Sequence, residues 1–175
     1  MKEIECENIA KYISEIQRMG NIFFLKELSH LGLGYGQFNF LMELYRKDGV
    51  RQEDLCLNLK IDKGTTARAI KKLEIEDFII RVNDEKDKRA YRIFLTEKAM
   101  EHKKDIYKVA KAWEENLTKN LTFEEKEIIL KKLFENTRGC VIIYDTPSFS
   151  FLHPMNNEAS SFEKYLLRFY FFSNS

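Results

Sequence analysis

Residues 54–74 of this 175-residue chain read DLCLNLKIDKGTTARAIKKLE, and this stretch decides the fold. Apolar residues recur at helical spacing in its first half, which predicts a short helix over about Gln52–Leu59. A second helix is predicted from Lys63 to about Glu76, with Asp62 as its N-cap. The inward face of this second helix is predicted to contain Ala67, Ile70 and Leu73. Two short helices joined by a turn of about three residues predict a helix-turn-helix, whose second helix is basic.

The spacing of the apolar residues changes from helical to strand-like immediately after this motif. Phe78–Val82 is rich in β-prone residues, Asn83–Lys88 is polar, and Arg89–Leu95 alternates apolar with polar residues. Two such runs joined by a polar loop predict a β-hairpin. A hairpin that follows a helix-turn-helix is the winged-helix arrangement.

Four longer helical segments are predicted around this unit, so the fold class is mainly α with a small β-hairpin wing. They cover about residues 8–29, 37–46, 97–117 and 123–137. Thr96 is predicted to cap the third of them. Beyond them, Glu158–Phe172 places aromatic residues at helical spacing, and a segment of this composition is expected to pack against another surface.

Composition and motifs favour some classes of function for this chain and disfavour others. Residues 60–104 contain 13 Lys and Arg against 9 Asp and Glu, which favours a polyanionic partner for this segment. No Gly-rich phosphate loop, Gly-x-Ser-x-Gly motif or convincing acid pair is present, so an enzyme is not expected and no cofactor is predicted. No membrane-length apolar run or secretory signal is seen, which makes a cytoplasmic protein without a membrane partner the default expectation.

From about Asp54 to Met100 the chain resembles the multiple-antibiotic-resistance regulator (MarR) family of winged-helix transcription factors. The resemblance is carried by residues 54–59, 63–74 and 80–81, by the run Asp84-Glu85-Lys86-Asp87-Lys88-Arg89, and by Tyr91-Arg92-Ile93-Phe94-Leu95-Thr96. Asp-x-Arg in the loop, followed by a strand that ends in Leu-Thr, is the most specific part. Where relatives commonly have Gly after the second helix, this chain has Asp77, a residue that tolerates left-handed backbone.

The candidate DNA-binding residues of the second helix follow from the geometry of groove recognition. A helix that enters the major groove needs short side chains at its leading end, and Gly64, Thr65 and Thr66 supply them. Arg68 has the reach for a guanine edge or a phosphate. Basic residues that follow along the helix are expected to contact phosphates, which position the protein without specifying sequence. The residues assigned to this helix surface are Lys63, Gly64, Thr65, Thr66, Arg68, Lys71 and Lys72.

The loop contributes the other candidates. Asp87 and Arg89 are two residues apart on a turn, so that their side chains can pair. The resemblance implies that Asp87 orients Arg89, which inserts into the minor groove, where narrow A·T-rich tracts concentrate negative potential. Lys86 and Lys88 are expected to add attraction to the DNA backbone. An ordinary surface ion pair is the alternative interpretation of these charges.

The resemblance also implies which segments of the chain dimerise and which bind DNA. Residues 1–31 and 97–144 are assigned to a helical dimerisation lobe, residues 32–96 to the DNA-binding winged helix, and residues 145–175 to an aromatic extension of unassigned role. A homodimer on a pseudo-palindromic operator is expected, since one winged helix contacts few phosphates. Repression is the habit of the family.

Several alternatives remain open from the sequence. Relatives often release DNA when a small aromatic compound binds, and candidate aromatic residues for a cleft are Phe23, Phe24, Phe38, Phe40, Tyr45 and Trp113, although aromatic residues at helical spacing more often form ordinary core. Redox sensing by Cys6 is disfavoured by its acidic neighbours. His30, His102 and His153 are too widely spaced to indicate a metal site. A winged helix that contacts only protein is the remaining rival.

Overall fold

The computed structural model describes residues 8–85, 87 and 90–139. Within them the chain forms six α-helices, one turn of 3-10 helix and three short strands. In chain order these are α1 (Ile9–Leu28), the 3-10 turn (Ser29–Leu31), α2 (Tyr35–Arg46), β1 (Val50–Arg51), α3 (Gln52–Leu59), α4 (Lys63–Ile75), β2 (Ile79–Asn83), β3 (Tyr91–Leu95), α5 (Glu97–Thr118) and α6 (Phe123–Gly139). The predicted fold class, a mainly helical winged helix, is confirmed.

Helices α4 and α5 begin directly after their predicted caps, Asp62 and Thr96, and α1 begins after Asn8, for which no capping role was predicted. The side chains of Asn8, Asp62 and Thr96 accept hydrogen bonds from backbone N–H groups three residues later, at 2.8, 2.9 and 3.2 Å. These bonds satisfy donors that have no partner within the first helical turn. Helix α2 begins at Tyr35, two residues earlier than predicted. Here the Gln37 side chain accepts a hydrogen bond from the Gly34 N–H and stabilises the earlier start.

The sheet contains one strand more than the predicted hairpin. β1, β3 and β2 lie side by side in that order, all antiparallel, and β3 is central. β1 has only two residues, Val50 and Arg51, which pair with Ile93 and Arg92. Two residues are too few to show a strand period, so only the pairing in the tertiary structure reveals β1.

A single hydrophobic core joins the helix-turn-helix to the long helices. Its largest fully buried side chains come from α1, α2, α3, α4 and the sheet, with Ala99 and Ile106 contributed by α5. The Tyr45 hydroxyl on α2 also donates a 2.6 Å hydrogen bond to the Ala99 carbonyl on α5. Burial raises the pKa of Tyr45 above its ordinary value. These contacts hold the helix-turn-helix, which includes α4, against α1 and α5.

The inward face of α4 agrees with the predicted one at two residues of three. Ala67 is exposed, and the buried residues are Thr66, Ala69, Ile70 and Leu73. Ile70 and Leu73 are buried as predicted, and Thr66 and Ala69 take the place of Ala67, so the buried stripe 66, 69, 70 and 73 differs in phase from the predicted one by less than one residue. A short helix with small residues at its start offers little apolar contrast from which to fix that phase.

The chain divides into two compact units, residues 1–123 and 124–175. The core described above lies in the first unit. In the second unit the structure describes most of α6, which presents the exposed apolar residues Ile128, Ile129 and Leu133. The aromatic segment Glu158–Phe172 lies outside the described residues. None of the described helices is long and apolar enough to cross a membrane.

Candidate nucleic-acid interface

The turn between α3 and α4 sets the direction of α4. Lys60 caps α3 in the left-handed conformation, with φ of 52°, and the Ile61 N–H donates to the Cys56 carbonyl at 3.1 Å. Two residues later, Asp62 caps α4. The turn is therefore closed on both sides by backbone hydrogen bonds, which hold the start of α4 in a defined place on the surface.

The first two turns of α4 present a basic exposed face. Lys63, Gly64 and Arg68 are exposed, as are Lys71 and Lys72 further along the helix. The positions 64, 68, 71 and 72 recur at three- and four-residue steps, so that they share one side of the helix. The structure thus brings five of the seven predicted residues of this helix to the surface, and a sixth, Thr65, is half-buried at its edge.

Thr66 is the exception, and its assignment as a DNA-contacting side chain is corrected. Its side chain is fully buried on the core side of α4. Its Oγ1 has no hydrogen-bond partner among the residues that the structure describes. A side chain with no exposed surface cannot reach a base or a phosphate. The prediction took Gly64, Thr65 and Thr66 together as the exposed leading end of the helix, whereas Thr66 belongs to the buried stripe that also contains Ile70 and Leu73.

Arg68 is held over the start of its own helix. Its Nη2 donates a 2.9 Å hydrogen bond to Thr65 Oγ1. The same corner of the helix contains the Asp62 carboxylate, whose pKa is lowered by hydrogen bonds from the Thr65 side chain and backbone, with a smaller contribution from the Arg68 charge. The guanidinium is therefore already ordered at the leading end of the exposed face.

An ion pair fixes the far end of α4 to the sheet. The Arg81 guanidinium on β2 pairs with the Glu74 carboxylate, with Nε at 3.0 Å from Oε1. The pair lowers the pKa of Glu74, chiefly through the side-chain hydrogen bond. Arg81 also lies 5.8 Å from the centre of the Tyr91 ring. Asp77, in the left-handed conformation with φ of 59°, makes the turn that brings β2 back along α4.

The wing, defined as β2, β3 and their connecting loop over residues 84–90, is described in part. Asp87 is exposed, and its N–H donates to Asp84 Oδ1 at 3.0 Å. Lys86, Lys88 and Arg89, three of the four wing residues assigned from the sequence, lie outside the described residues. The predicted pairing of Asp87 with Arg89 therefore stays a prediction.

Sequence reasoning missed the best-buried acidic residue of the domain, Asp84 at the root of the wing. Its side chain is 1% exposed and is bound by the guanidinium groups of Arg51 and Arg92. Its place in a polar loop predicts exposure, and its two partners lie 33 residues before it and 8 residues after it. The sequence contained no signal for this cluster, because Arg92 occupies a polar position of an alternating strand and Arg51 belongs to a strand that was not predicted.

Comparison with known proteins identifies the family. The MarR family model matches residues 33–91. The helix-turn-helix transcriptional regulator YybA of Bacillus subtilis is 38% identical over 107 residues, which are 59% of this chain and 69% of YybA. A MarR transcriptional regulator from Methanosarcina mazei Go1 is 48% identical, with a TM-score of 0.70 over 75% of this chain and 96% of the other. The chain belongs to the MarR family.

The resemblance predicted from the sequence is thus confirmed, and the protein is a MarR-family helix-turn-helix transcriptional regulator. A solved structure of a MarR family regulator from Listeria monocytogenes, described as complexed with 26mer DNA, matches at 28% identity. Its TM-score is 0.71, and the match covers 76% of this chain and 89% of that chain. The fold of this chain is therefore similar to that of a family member whose solved structure contains DNA.

Most of the aromatic residues considered for a cleft in this MarR protein belong to the hydrophobic core or pack against it. Phe24, Phe38 and Phe40 are buried, and the rings of Phe24 and Phe38 lie 4.2 Å apart. The Trp113 ring packs 5.3 Å from Phe23 and closes over Gly20. A shallow cleft of about 280 Å³ opens beside Trp113, lined by Ile13, Ile16, Gln17, Gly20 and Tyr35. Only Trp113 among the six aromatic residues predicted for a cleft lines it.

Only some of the histidine and cysteine residues considered for metal or redox sensing lie in the part of the MarR chain that the structure describes. No group of three or more metal-ligating side chains lies together there. Cys56 is buried against the α3–α4 scaffold. Cys6, the candidate redox sensor, lies outside the described residues.

Proposed function

We propose that this MarR-family protein is a sequence-specific repressor that binds double-stranded DNA as a homodimer on a pseudo-palindromic operator. The observation that carries the proposal is the exposed basic face at the start of α4, where Gly64 allows close approach and Arg68 is ordered by Thr65. An exposed helix start with short side chains fits a major groove, whose base edges carry distinct donor and acceptor patterns.

The residues of this surface have different tasks in the proposal. Arg68 reads a base, with two parallel donors suited to guanine O6 and N7. Lys63, Lys71 and Lys72 contact phosphates, and the wing, through Arg89 with Lys86, Asp87 and Lys88, contacts the minor groove and backbone. A winged helix that bound only protein would not need an exposed basic face on this helix, so the arrangement favours DNA over the protein-contact alternative.

Dimerisation is supported by apolar surface that a monomer would leave in water. Helix α1 exposes several large apolar side chains along its length, among them Ile9, Tyr12, Ile16, Met19 and Ile22. Helix α6 exposes further ones, described above. Contiguous apolar surface of this kind marks protein interfaces. The lobe proposed to pair consists of residues 1–31 and 97–144, with the winged helix at 32–96.

Release by a small aromatic effector is a further part of the proposal. The cleft beside Trp113 lies between α1, the start of α2 and α5, and its lining is mostly apolar with the Tyr35 and Gln17 side chains as polar groups. Ligand sites are typically apolar clefts with a few polar groups. A ligand there would contact helices of the proposed dimer lobe and the helix-turn-helix scaffold together.

The experiment that tests the function is DNA selection followed by titration. Genomic fragments retained by the protein are sequenced, and the enriched duplex is titrated with Arg68→Ala and Lys72→Ala variants. We expect Arg68→Ala to relax discrimination between wild-type and mutated half-sites by roughly tenfold. Lys72→Ala is expected to weaken all duplexes to a similar extent and to reduce the dependence of affinity on salt by about one counterion.

The salt series decides between DNA and protein as the partner. Affinity that falls steeply between about 50 and 200 mM salt is expected from several phosphate contacts. Failure to enrich any duplex, with binding to random DNA no tighter than micromolar, would rule out a sequence-specific regulator of this kind.

A further inference from the structure

Asp84 lies at the meeting point of three segments of the winged helix. Its carboxylate accepts two hydrogen bonds from Arg51, from Nε to Oδ2 at 3.1 Å and from Nη2 to Oδ1 at 3.0 Å. It accepts a third from Arg92 Nε to Oδ2 at 2.7 Å. Arg51 is the residue just before α3, and Arg92 lies on β3. One buried carboxylate therefore ties the wing to the start of the helix-turn-helix.

The same residue closes the wing loop. The Asp84 N–H donates to the Ala90 carbonyl at 2.9 Å, and the Ala90 N–H donates to the Asp87 carbonyl at 2.9 Å. The Asp87 N–H in turn donates to Asp84 Oδ1. Main chain and side chain of Asp84 thus both determine where Asp87 stands at the start of the segment that carries Arg89.

The Asp84 carboxylate offsets the electrostatic repulsion between Arg51 and Arg92. Arg51 and Arg92 are directly opposite each other in the β1–β3 register, a position in which like charges repel. Asp84 binds both, and it raises the pKa of Arg51 through a side-chain hydrogen bond first and its charge second. Arg92 also donates from Nη1 to the Gly49 carbonyl at 2.8 Å. Loss of the carboxylate would leave two cations facing each other at the root of the wing.

We propose that Asp84 is a positioning residue for DNA recognition, which sets the placement of the wing relative to α3 and α4 by binding Arg51, Arg92 and the Asp87 N–H. The proposal rests on the proposed function, in which the wing contacts DNA. Asp84 itself is buried and contacts no DNA. Its effect reaches the duplex only through the wing, and chiefly through Arg89, the wing residue proposed to enter the minor groove.

A double-mutant cycle tests this dependence. Operator affinity is measured by fluorescence anisotropy for the wild type, Asp84→Asn, Arg89→Ala and the double variant, each checked for folding by circular dichroism. We expect Arg89→Ala to weaken binding about tenfold, Asp84→Asn to weaken it by a comparable factor, and the double variant to be no more than about twofold weaker than either. A purely structural role would not produce this coupling.

Glu74→Gln is the matched control, because it breaks another arginine–carboxylate pair in the same domain, between α4 and β2. Whatever the fold-loss of operator affinity in Glu74→Gln, the double variant with Arg89→Ala is expected to show the product of the two single fold-losses. Arg51→Lys is the second variant, which keeps the charge and the fold but loses the bidentate geometry. If Asp84→Asn does not fold, the cycle between Arg51→Lys and Arg89→Ala is expected to show the same coupling.

The outcomes separate the two claims. If Arg89→Ala weakens binding but Asp84→Asn does not, or if their losses multiply, Asp84 has no positioning role and the proposed function stands. If Arg89→Ala leaves the affinity unchanged, the assignment of the wing to DNA is itself wrong, and the role of Asp84 is overturned with it.

Discussion

Thr66 shows how one residue can look functional in the sequence and be structural in the fold. It stands between Thr65 and Ala67 in a run of small residues, yet its hydroxyl is buried without a hydrogen-bond partner among the described residues. Leaving a buried hydroxyl unpaired costs roughly 1–3 kcal/mol. The neighbouring Thr65 hydroxyl, in contrast, accepts a bond from Arg68 at the surface.

Replacing Thr66 by valine is therefore expected to raise the free energy of unfolding by about 1 kcal/mol, since valine has the same shape without the unpaired oxygen. Operator affinity is expected to stay within about twofold of wild type. Urea denaturation and a gel shift measure the two quantities. A large loss of affinity in a variant of undiminished stability would show that the Thr66 hydroxyl reaches DNA after all.

Thr65 is expected to act on specificity through Arg68. In Thr65→Val the guanidinium loses its hydrogen-bond acceptor at the leading end of α4, so that it must be ordered by DNA alone. We expect the preference for the wild-type half-site over one with an altered guanine to fall several-fold, which corresponds to about 1 kcal/mol. Thr65→Ser, which keeps the acceptor, is the control, and equal behaviour of the two variants would contradict the role.

Among the elements, α4 depends on its N-cap in a way that pH reveals. The pKa of Asp62 is lowered in the folded protein by hydrogen bonds from Thr65. A carboxylate whose pKa is lower in the folded than in the unfolded chain stabilises the fold fully above the unfolded value of about 3.9. This contribution disappears as pH falls through the lower, folded value.

The substitution Asp62→Asn keeps the N-cap of α4 and removes its charge. Asparagine caps helices as well as aspartate does, and it does so at every pH. As pH falls below about 5, the wild type is expected to lose stability more steeply than the variant, because only the wild type gains a proton at this position. Chemical denaturation along the pH series measures the difference. Parallel curves would mean that Asp62 has the same pKa in both states.

At the scale of the whole molecule, the exposed apolar side of α1 is the feature that a monomer does not explain. Met19 is 60% exposed and Ile22 70% exposed on a helix that also packs Phe24 and Leu28 into the core. Apolar surface on both sides of one helix is expected where one side faces the protein's own core and the other faces a partner. A second copy of the chain is the proposed partner.

Met19→Glu is expected to convert the protein to a monomer. A carboxylate placed in an apolar interface weakens association by at least about 3 kcal/mol, or more than a hundredfold. Operator affinity is expected to fall with it, because two half-sites are then no longer bound together. Light scattering coupled to gel filtration measures the mass.

Ser14→Glu is the matched control on the same helix. Ser14 is exposed on the polar side of α1, and the substitution changes the charge by the same amount. It is expected to leave the protein dimeric. A wild-type protein that runs as a monomer at micromolar concentration would remove the basis for the pseudo-palindromic operator.

The sequence by itself determined the family, the order of the helices and of the hairpin, the helix caps at Asp62 and Thr96, and the left-handed turn at Asp77. These are local properties, because they depend on spacing within a few residues and on the backbone preferences of single side chains. The basic character of α4 was equally readable, since charge does not depend on the phase of a helix.

Only the tertiary structure decided that Thr66 rather than Ala67 lies on the core side of α4, that β1 exists, and that Asp84 joins Arg51 to Arg92. Each of these depends on contacts between segments far apart in the chain. The phase of a short helix with small residues is fixed by the apolar surface against which it packs. A buried carboxylate is stable only where the fold brings cations to it from other strands, and no local pattern encodes that meeting.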